Sequence, residues 1–237
     1  SSSPPKLYAL EEETKSVLSF DLNTGEANLV SGPGRGAGPS LDQPVGLTFV
    51  HASSGTPPSL AVSDRKFGPE DSPAIVAIGI STGDRSVVSS SAAEDPLVFK
   101  GAGPELGSPA GLHYQKSLSR FLVVDTEEKA LFSVDRSTGD RLVVVDNSDT
   151  SDGVLMFSPS DVALSSNGAT AWILDPIGKK VFAAQLQSSS LSLLSNNSPA
   201  DDYRWSSPRH FTYRNGTGLF IADYTGHAAY SVATSSG

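Results

Sequence analysis

Apolar residues along the chain come in short runs that alternate with polar ones and stop abruptly at turn formers. The stretch "LFSVDRSTGDRLVVVD" (131–146) shows the unit: "LFSV" closes on an Asp, "RSTG" makes a turn, and "LVVVD" returns. The same design recurs as "VLSFDLNTGEANLVS" (17–31) and "IVAIGISTGDRSVVS" (75–89). Short runs rich in Val, Ile, Leu, Phe and Tyr, bounded by Gly, Asn, Ser and Pro, predict β-strands. No window sustains apolar residues at i, i+3, i+4 and i+7, so helices are not expected.

Anchoring on the Thr-Gly turn and on the Asp that ends an apolar run gives five copies. The third reads "FLVVD" (121–125), "ALFSVD" (130–135), "DRLVVVD" (140–146), and the first "LYALE" (7–11), "VLSFD" (17–21), "EANLVS" (26–31). The second reads "SLAVSD" (59–64), "AIVAIGI" (74–80), "DRSVVS" (84–89), with insertions at "HASSGTPP" and "RKFGPEDSP". "AWILD" (171–175), "KVFAAQL" (180–186) and "LSLLS" (191–195) form the fourth, and "LFIAD" (219–223) and "AAYSVA" (228–233) the fifth. Ahead of copies two to five a proline opens one more run: "PVGLTFV" (44–50), "PAGLHYQ" (109–115), "PSDVALS" (159–165) and "PRHFTYR" (208–214). The first two of these follow matched approaches, "GAGPSLDQP" and "GAGPELGSP".

Four short strands per repeat of roughly 50 residues is the grammar of a β-propeller. A small antiparallel blade cannot bury both faces alone, and stacking blades around an axis supplies that burial. The expected fold is all-β: one propeller domain over 1–237 with four-stranded antiparallel blades at 6–32, 44–90, 109–146, 159–195 and 208–237. The first blade lacks an inner strand and the last an outer one, which leaves eighteen strands. Phe20, Phe132, Val134, Ile173, Phe182 and Leu219 are expected in the core between blades.

The unit "P-x-G-L … L-x-V-x-D … L-x-x-x-D-x-x-T-G" resembles the NHL and SMP-30/gluconolactonase-like propeller repeats, and is similar to the YVTN-type repeats of bacterial surface propellers. The resemblance covers nearly the whole chain. For the gluconolactonase-like relatives it implies lactone hydrolysis with a divalent metal held by Glu, Asn and Asp, the Asn coming from an inner-strand "PNG". Here those places read "PVG", "PAG", "PSD" and "PRH", and the early "GEGP" motif is missing. Asp161 alone does not hold a hard cation that takes several oxygen ligands. No catalytic residue and no cofactor are therefore assigned.

The channel mouth is built from the residues just after each proline. Val45-Gly46 and Ala110-Gly111 are small there, whereas Ser160-Asp161 and Arg209-His210 are polar or charged. If the blades ring an axis, these four project near one another as a candidate binding cluster, and a His–Asp pair beside an Arg can position a general base or bind an anion. The plainer reading is a salt-linked plug. Asp64, Asp125, Asp175 and Asp223 end second strands, with Glu11 at the matching place in copy one, and are expected to cap turns. "DNSDTSDG" gathers Asp146, Asp149 and Asp152 as weak metal candidates, but their spacing departs from calcium loops and a solvated acidic turn is expected.

Composition narrows the function classes. A net charge of −9 excludes a nucleic-acid partner of the usual phosphate-binding kind. No apolar run approaches the ~20 residues of a membrane helix, so no membrane insertion is expected. Absence of Cys removes disulfide and thiolate chemistry. One Met and few Lys amid Ser, Thr, Gly and Pro point to a secreted, periplasmic or cell-surface location, and the opening "SSSPP" reads as a start without a signal peptide. Asn196 and Asn215 stand in N-x-S/T acceptors, which matter only on a eukaryotic secretory route. "GPGRGAG" leads into a strand and is no phosphate cradle, and no G-x-S-x-G elbow exists.

The function expected from these residues is a non-enzymatic binding or assembly module for a protein or carbohydrate ligand, contacted through its loops. Alternatives are a metal-dependent lactone hydrolase using the axial cluster, or a segment of a larger surface protein or filament that exchanges strands through its terminal blades.

Overall fold

The computed structural model describes residues 4–53, 55–67, 71–91, 100–150, 153–196 and 205–234. They form five antiparallel sheets arranged as the blades of a β-propeller. Blade one holds β1 (Lys6–Glu11), β2 (Ser16–Asp21) and β3 (Ala27–Ser31). Blade two holds β4 (Pro44–Val50), β5 (Ser59–Phe67), β6 (Ser72–Gly79) and β7 (Arg85–Ser90). Blade three holds β8 (Pro109–Gln115), β9 (Arg120–Asp125), β10 (Ala130–Asp135) and β11 (Arg141–Val145). Blade four holds β12 (Asp161–Leu164), β13 (Thr170–Asp175), β14 (Lys180–Gln185) and β15 (Ser190–Asn196). Blade five holds β16 (Pro208–Arg214), β17 (Gly218–Asp223) and β18 (Ala228–Val232). Helical structure among the described residues is one 3-10 turn at Lys116–Leu118.

Strand alternation builds the core. Successive side chains point to opposite faces, so each central strand feeds two interfaces. Phe121 and Val123 of β9 pack with Val50, Ala61 and Ile75 of blade two. Leu122 and Val124, one residue along, pack with Val162, Ile173 and Phe182 of blade four. Val17 and Val30 meet Leu60, Val62 and Val76 between blades one and two, and Trp172 and Leu174 meet Phe211, Leu219 and Ile221 between blades four and five. Both faces of blades two, three and four are therefore covered, which explains their near-continuous apolar strands.

Phe132, Val134, Ile173, Phe182 and Leu219 are buried as expected. Phe20 is a correction: it is only half-buried. It stands opposite Leu7, itself 54% exposed, on the face of blade one turned away from blade two. A second correction concerns Asp64, which does not end its strand: β5 runs on through Arg65 and Lys66 to the buried Phe67, with a register shift between Asp64 and Phe67.

The inner strands β4, β8, β12 and β16 stand side by side around the axis, with β1 against β4. Among the described residues the first and fifth blades make no comparable contact.

The strand-end aspartates are caps of a double kind. Asp125 accepts from Glu127 and Glu128 N–H in its own turn at 3.0 and 3.1 Å. It also accepts from Gly107 and Ser108 N–H in the segment entering β8, each at 2.9 Å. Asp64 repeats this with Lys66, Asp42 and Gln43, and Asp223 with Gly226, Ser206 and Ser207. Each carboxylate thus ties the segment entering an inner strand to the strand paired with it. Burial pushes the Asp64 carboxyl up, and the backbone bonds oppose that shift.

Candidate functional site

A cavity of about 1210 Å³ lies on the axis and is lined by residues of all five blades. Its lining includes the residues with which the inner strands begin. Val45, Gly46, Ala110, Gly111, Ser160, Asp161, Arg209 and His210 all line it, so the polar pairs of blades four and five do meet in one space. β4, β8 and β16 begin at their proline and β12 two residues after it, and in all four blades the two residues after the proline line the cavity.

Asp161 is the best-tied member of the cluster. Its carboxylate accepts from Val162 N–H at 2.9 Å and from Phe211 N–H of blade five at 3.1 Å, and lies 3.5 Å from His210 Nδ1. The side chain is 15% exposed against 72% for His210. Part of its work is structural: it bridges two inner strands that share no backbone pairing. The Asp161 bond holds the His210 imidazole above the usual histidine value, opposed by the partial loss of water at the cavity wall and by the Arg209 charge. His113, half-buried in the same cavity, is pushed down by burial, with Asp161 resisting.

Ser160 uses its backbone fully. Its N–H donates to Leu174 O and its carbonyl accepts from Gly111 N–H, both at 2.8 Å. Its Oγ is buried and has no hydrogen-bond partner. Arg209 is exposed and lies over the Tyr224 ring, 5.9 Å from guanidinium carbon to centroid. Among the described residues the ion pair within the cluster is His210 with Asp161, and Arg209 stands apart from it on the same cavity wall.

Sequence reasoning missed Arg65. The residue after each strand-end carboxylate lines the same mouth: Glu12, Arg65, Thr126 and Pro176 in blades one to four. Thr126 Oγ1 is used up in donating to Pro159 O at 2.8 Å. Arg65 Nε is buried and finds no acceptor. The signal was the shared offset from the aspartate, hidden because "RKFGPEDSP" looked like a loop insertion.

The acidic loop is occupied by its own backbone. Asp149 accepts from Asp146 N–H at 2.8 Å, and Asp146 accepts from Ser148 N–H and Oγ at 2.6 Å each. Asp152 lies outside the described residues. No group of three or more metal-ligating side chains occurs among the described residues.

No family model matches the chain, and no curated protein matches it. Solved structures do. A chain of the nidogen/laminin complex superposes with a TM-score of 0.65 at 13% identity, covering 95% of this chain and 74% of that one. A streptogramin B lyase gives 0.56 at 12%, covering 99% and 68%. A Bacteroides thetaiotaomicron protein of unknown function gives 0.55 at 13%, covering 96% and 66%. Likeness at such identity speaks for architecture, and with the five sheets described above it makes this chain a β-propeller.

Proposed function

We propose that the protein is an exported, non-enzymatic propeller of the NHL or SMP-30-like kind that binds a ligand in the mouth of its axial cavity. The observation that carries this reading is a roomy concave space on the axis, walled by small residues on blades two and three and by Ser160, Asp161, Arg209 and His210 on blades four and five. Concave sites with a few convergent polar groups are where folds place ligands. A propeller in a nidogen/laminin complex supports a binding role for this architecture. Export is supported by the Cys-free, Ser- and Gly-rich composition.

The Asp161–His210 pair favours a second reading, a metal-dependent lactone hydrolase in which the imidazole serves as base. A propeller of similar fold is a streptogramin B lyase. Metal analysis after dialysis, followed by lactone-hydrolysis assays with added calcium, zinc or manganese, separates the two. The binding reading expects neither stoichiometric metal nor turnover. Turnover that disappears in Asp161→Ala overturns it.

A further inference from the structure

Five blades stacked in a closed ring share five joints, and here the described residues make four. The core clusters lie between blades one and two, two and three, three and four, and four and five. Among the described residues, blades five and one share no such cluster. Each end blade therefore keeps one face without a blade against it. Alternation along the strands sets which residues that face carries. In blade one, Tyr8, Leu10 and Val17 turn to blade two, which leaves Leu7, Ala9, Leu18 and Phe20 on the other side as the cross-strand pairs Leu7–Phe20 and Ala9–Leu18. In blade five, Leu219, Ile221 and Tyr230 turn to blade four, which leaves Phe220, Ala222 and Ala229.

Both faces have the composition of a joint. Leu7 is 54% exposed, Phe20 and Phe220 are half-buried, and Ala222 and Ala229 are exposed. A contiguous apolar face on a soluble protein marks a contact surface. The contact that the other four joints define is one blade face laid on another. Charge says which face each one takes. Blade one carries Glu11, Glu12, Glu13, Asp21 and Glu26 against Lys6 and Lys15, and Lys15 is paired with Asp42. Blade five exposes Arg209 and Arg214, while its acid, Asp223, is buried among backbone N–H donors. Blade one laid on a second blade one sets acid against acid, whereas laid on blade five it sets acid against arginine.

We infer that the partner of these faces is a second copy of the chain: blade one of each copy stacks on blade five of the other, so that two open rings close gap to gap about a two-fold axis. In a two-fold interface residue i of one copy meets residue j of the other and j meets i, so both end faces of both copies are covered and growth stops at the dimer. The dimer is independent of what the axial cavity binds.

Sedimentation velocity over a range of concentrations tests it on the 237-residue chain. Monomer is expected in dilute solution and dimer on concentration, with the dimer weakened by salt. Leu7→Asp and Ala229→Asp, each at an exposed position, are each expected to raise the dissociation constant at least tenfold with the circular dichroism spectrum unchanged. Mixing the two variants is expected to restore part of the association, because the mixed pair keeps one joint without a substitution. Monomer at every concentration overturns the inference. So does association that neither variant weakens, association that Leu7→Asp alone weakens, or growth past the dimer. Each of these overturning outcomes leaves the binding reading of the cavity standing.

Discussion

Phe132 and Phe20 stand on β10 and β2, matching strands of two copies of one repeat, and differ in what covers them. Phe132 is 2% exposed and packs among residues of blades two and three. Phe132→Ala is therefore predicted to cost ~3–5 kcal/mol through lost transfer energy and a cavity, read as a lowered midpoint of chemical unfolding. Phe20, half-covered on the outer face of blade one, should lose about 1–2 kcal/mol on the same change. An unmoved midpoint for Phe132→Ala would contradict the strand packing given above. His210 adds a pH dependence at this scale. Its imidazole faces Asp161, with Arg209 beside it and His113, Arg65, Lys179 and Glu12 on the same cavity wall. Since its folded-state value is raised, the stabilisation from the His210–Asp161 bond is full below the ordinary value near 6.5 and fades as pH rises through the folded value. The cavity loses one positive charge over that window. Equilibrium stability is predicted to fall as pH rises through that raised value in the wild type and to change less over the same range in His210→Gln.

At the scale of elements, the matched "GAGP" approaches and the "TGDR" turns explain each other. Arg85 Nε donates to Pro39 O and Arg141 Nε to Pro104 O, each at 2.6 Å. Arg85 reaches Ser31 Oγ at 2.8 Å, and Arg141 reaches Ser89 Oγ at 2.7 Å. Asp84 and Asp140 accept from Ala37 and Ala102 N–H, each at 2.7 Å. The turn of one blade thus grips the chain arriving from the blade before it. Gly36 and Gly101 are needed here, with φ of 86° each, because a Cβ on either would collide with the Gly83 or Gly139 carbonyl. Arg141, 3% exposed, also donates to Ser90 and Lys100 O. Arg141→Ala removes the buried guanidinium and all of its hydrogen bonds at once and is predicted to cost about 3 kcal/mol in equilibrium unfolding. The Ala102 and Ala37 bonds hold the Asp140 and Asp84 carboxyls below the ordinary value. Their contribution is present above about pH 4 and is lost as pH falls through the depressed values. Stability of Asp140→Asn should accordingly vary less than wild type between about pH 5 and 3. Both motifs were visible in the sequence as repeats. Their pairing was not, because residues 36–39 and 82–85 are far apart along the chain and meet only when blades stack.

For the whole molecule, the propeller was legible because its cause is periodic: strand alternation, proline entries and strand-end aspartates recur in nearly every copy. The cavity was half legible. Ser160, Asp161, Arg209 and His210 stood out by breaking a repeated position, whereas Arg65 sits where β5 runs past its aspartate, and nothing local announces that extension. The terminal blades carry the last prediction. Among the described residues β1 pairs with β2 alone, so its other edge carries no strand hydrogen-bonded to it. The direction of each amide follows from the ladder. Leu22 N–H donates to Pro5 O at 3.0 Å, which makes Pro5 and Leu22 a hydrogen-bonded pair. Antiparallel pairs alternate between bonded and non-bonded, so Leu7, Ala9 and Glu11 direct their N–H groups to β2, and Lys6, Tyr8 and Leu10 direct theirs to the open edge. Between Lys6 and Glu11 the strand "LYAL" carries no charge and no proline, the usual guards against strand addition. We predict that a strand of a second chain adds there, by main-chain bonds that need no particular side chain. Hydrogen exchange at two protein concentrations measures this. In dilute solution Lys6, Tyr8 and Leu10 amides should exchange much faster than those of Phe121–Val124 in β9, with Leu7 and Ala9 between. On concentration, the three outward amides should slow while the β9 amides stay as they were. Outward amides that exchange equally fast at every concentration would remove strand addition at β1. Outward amides as protected as β9 even in dilute solution would mean that this edge is already covered within one molecule.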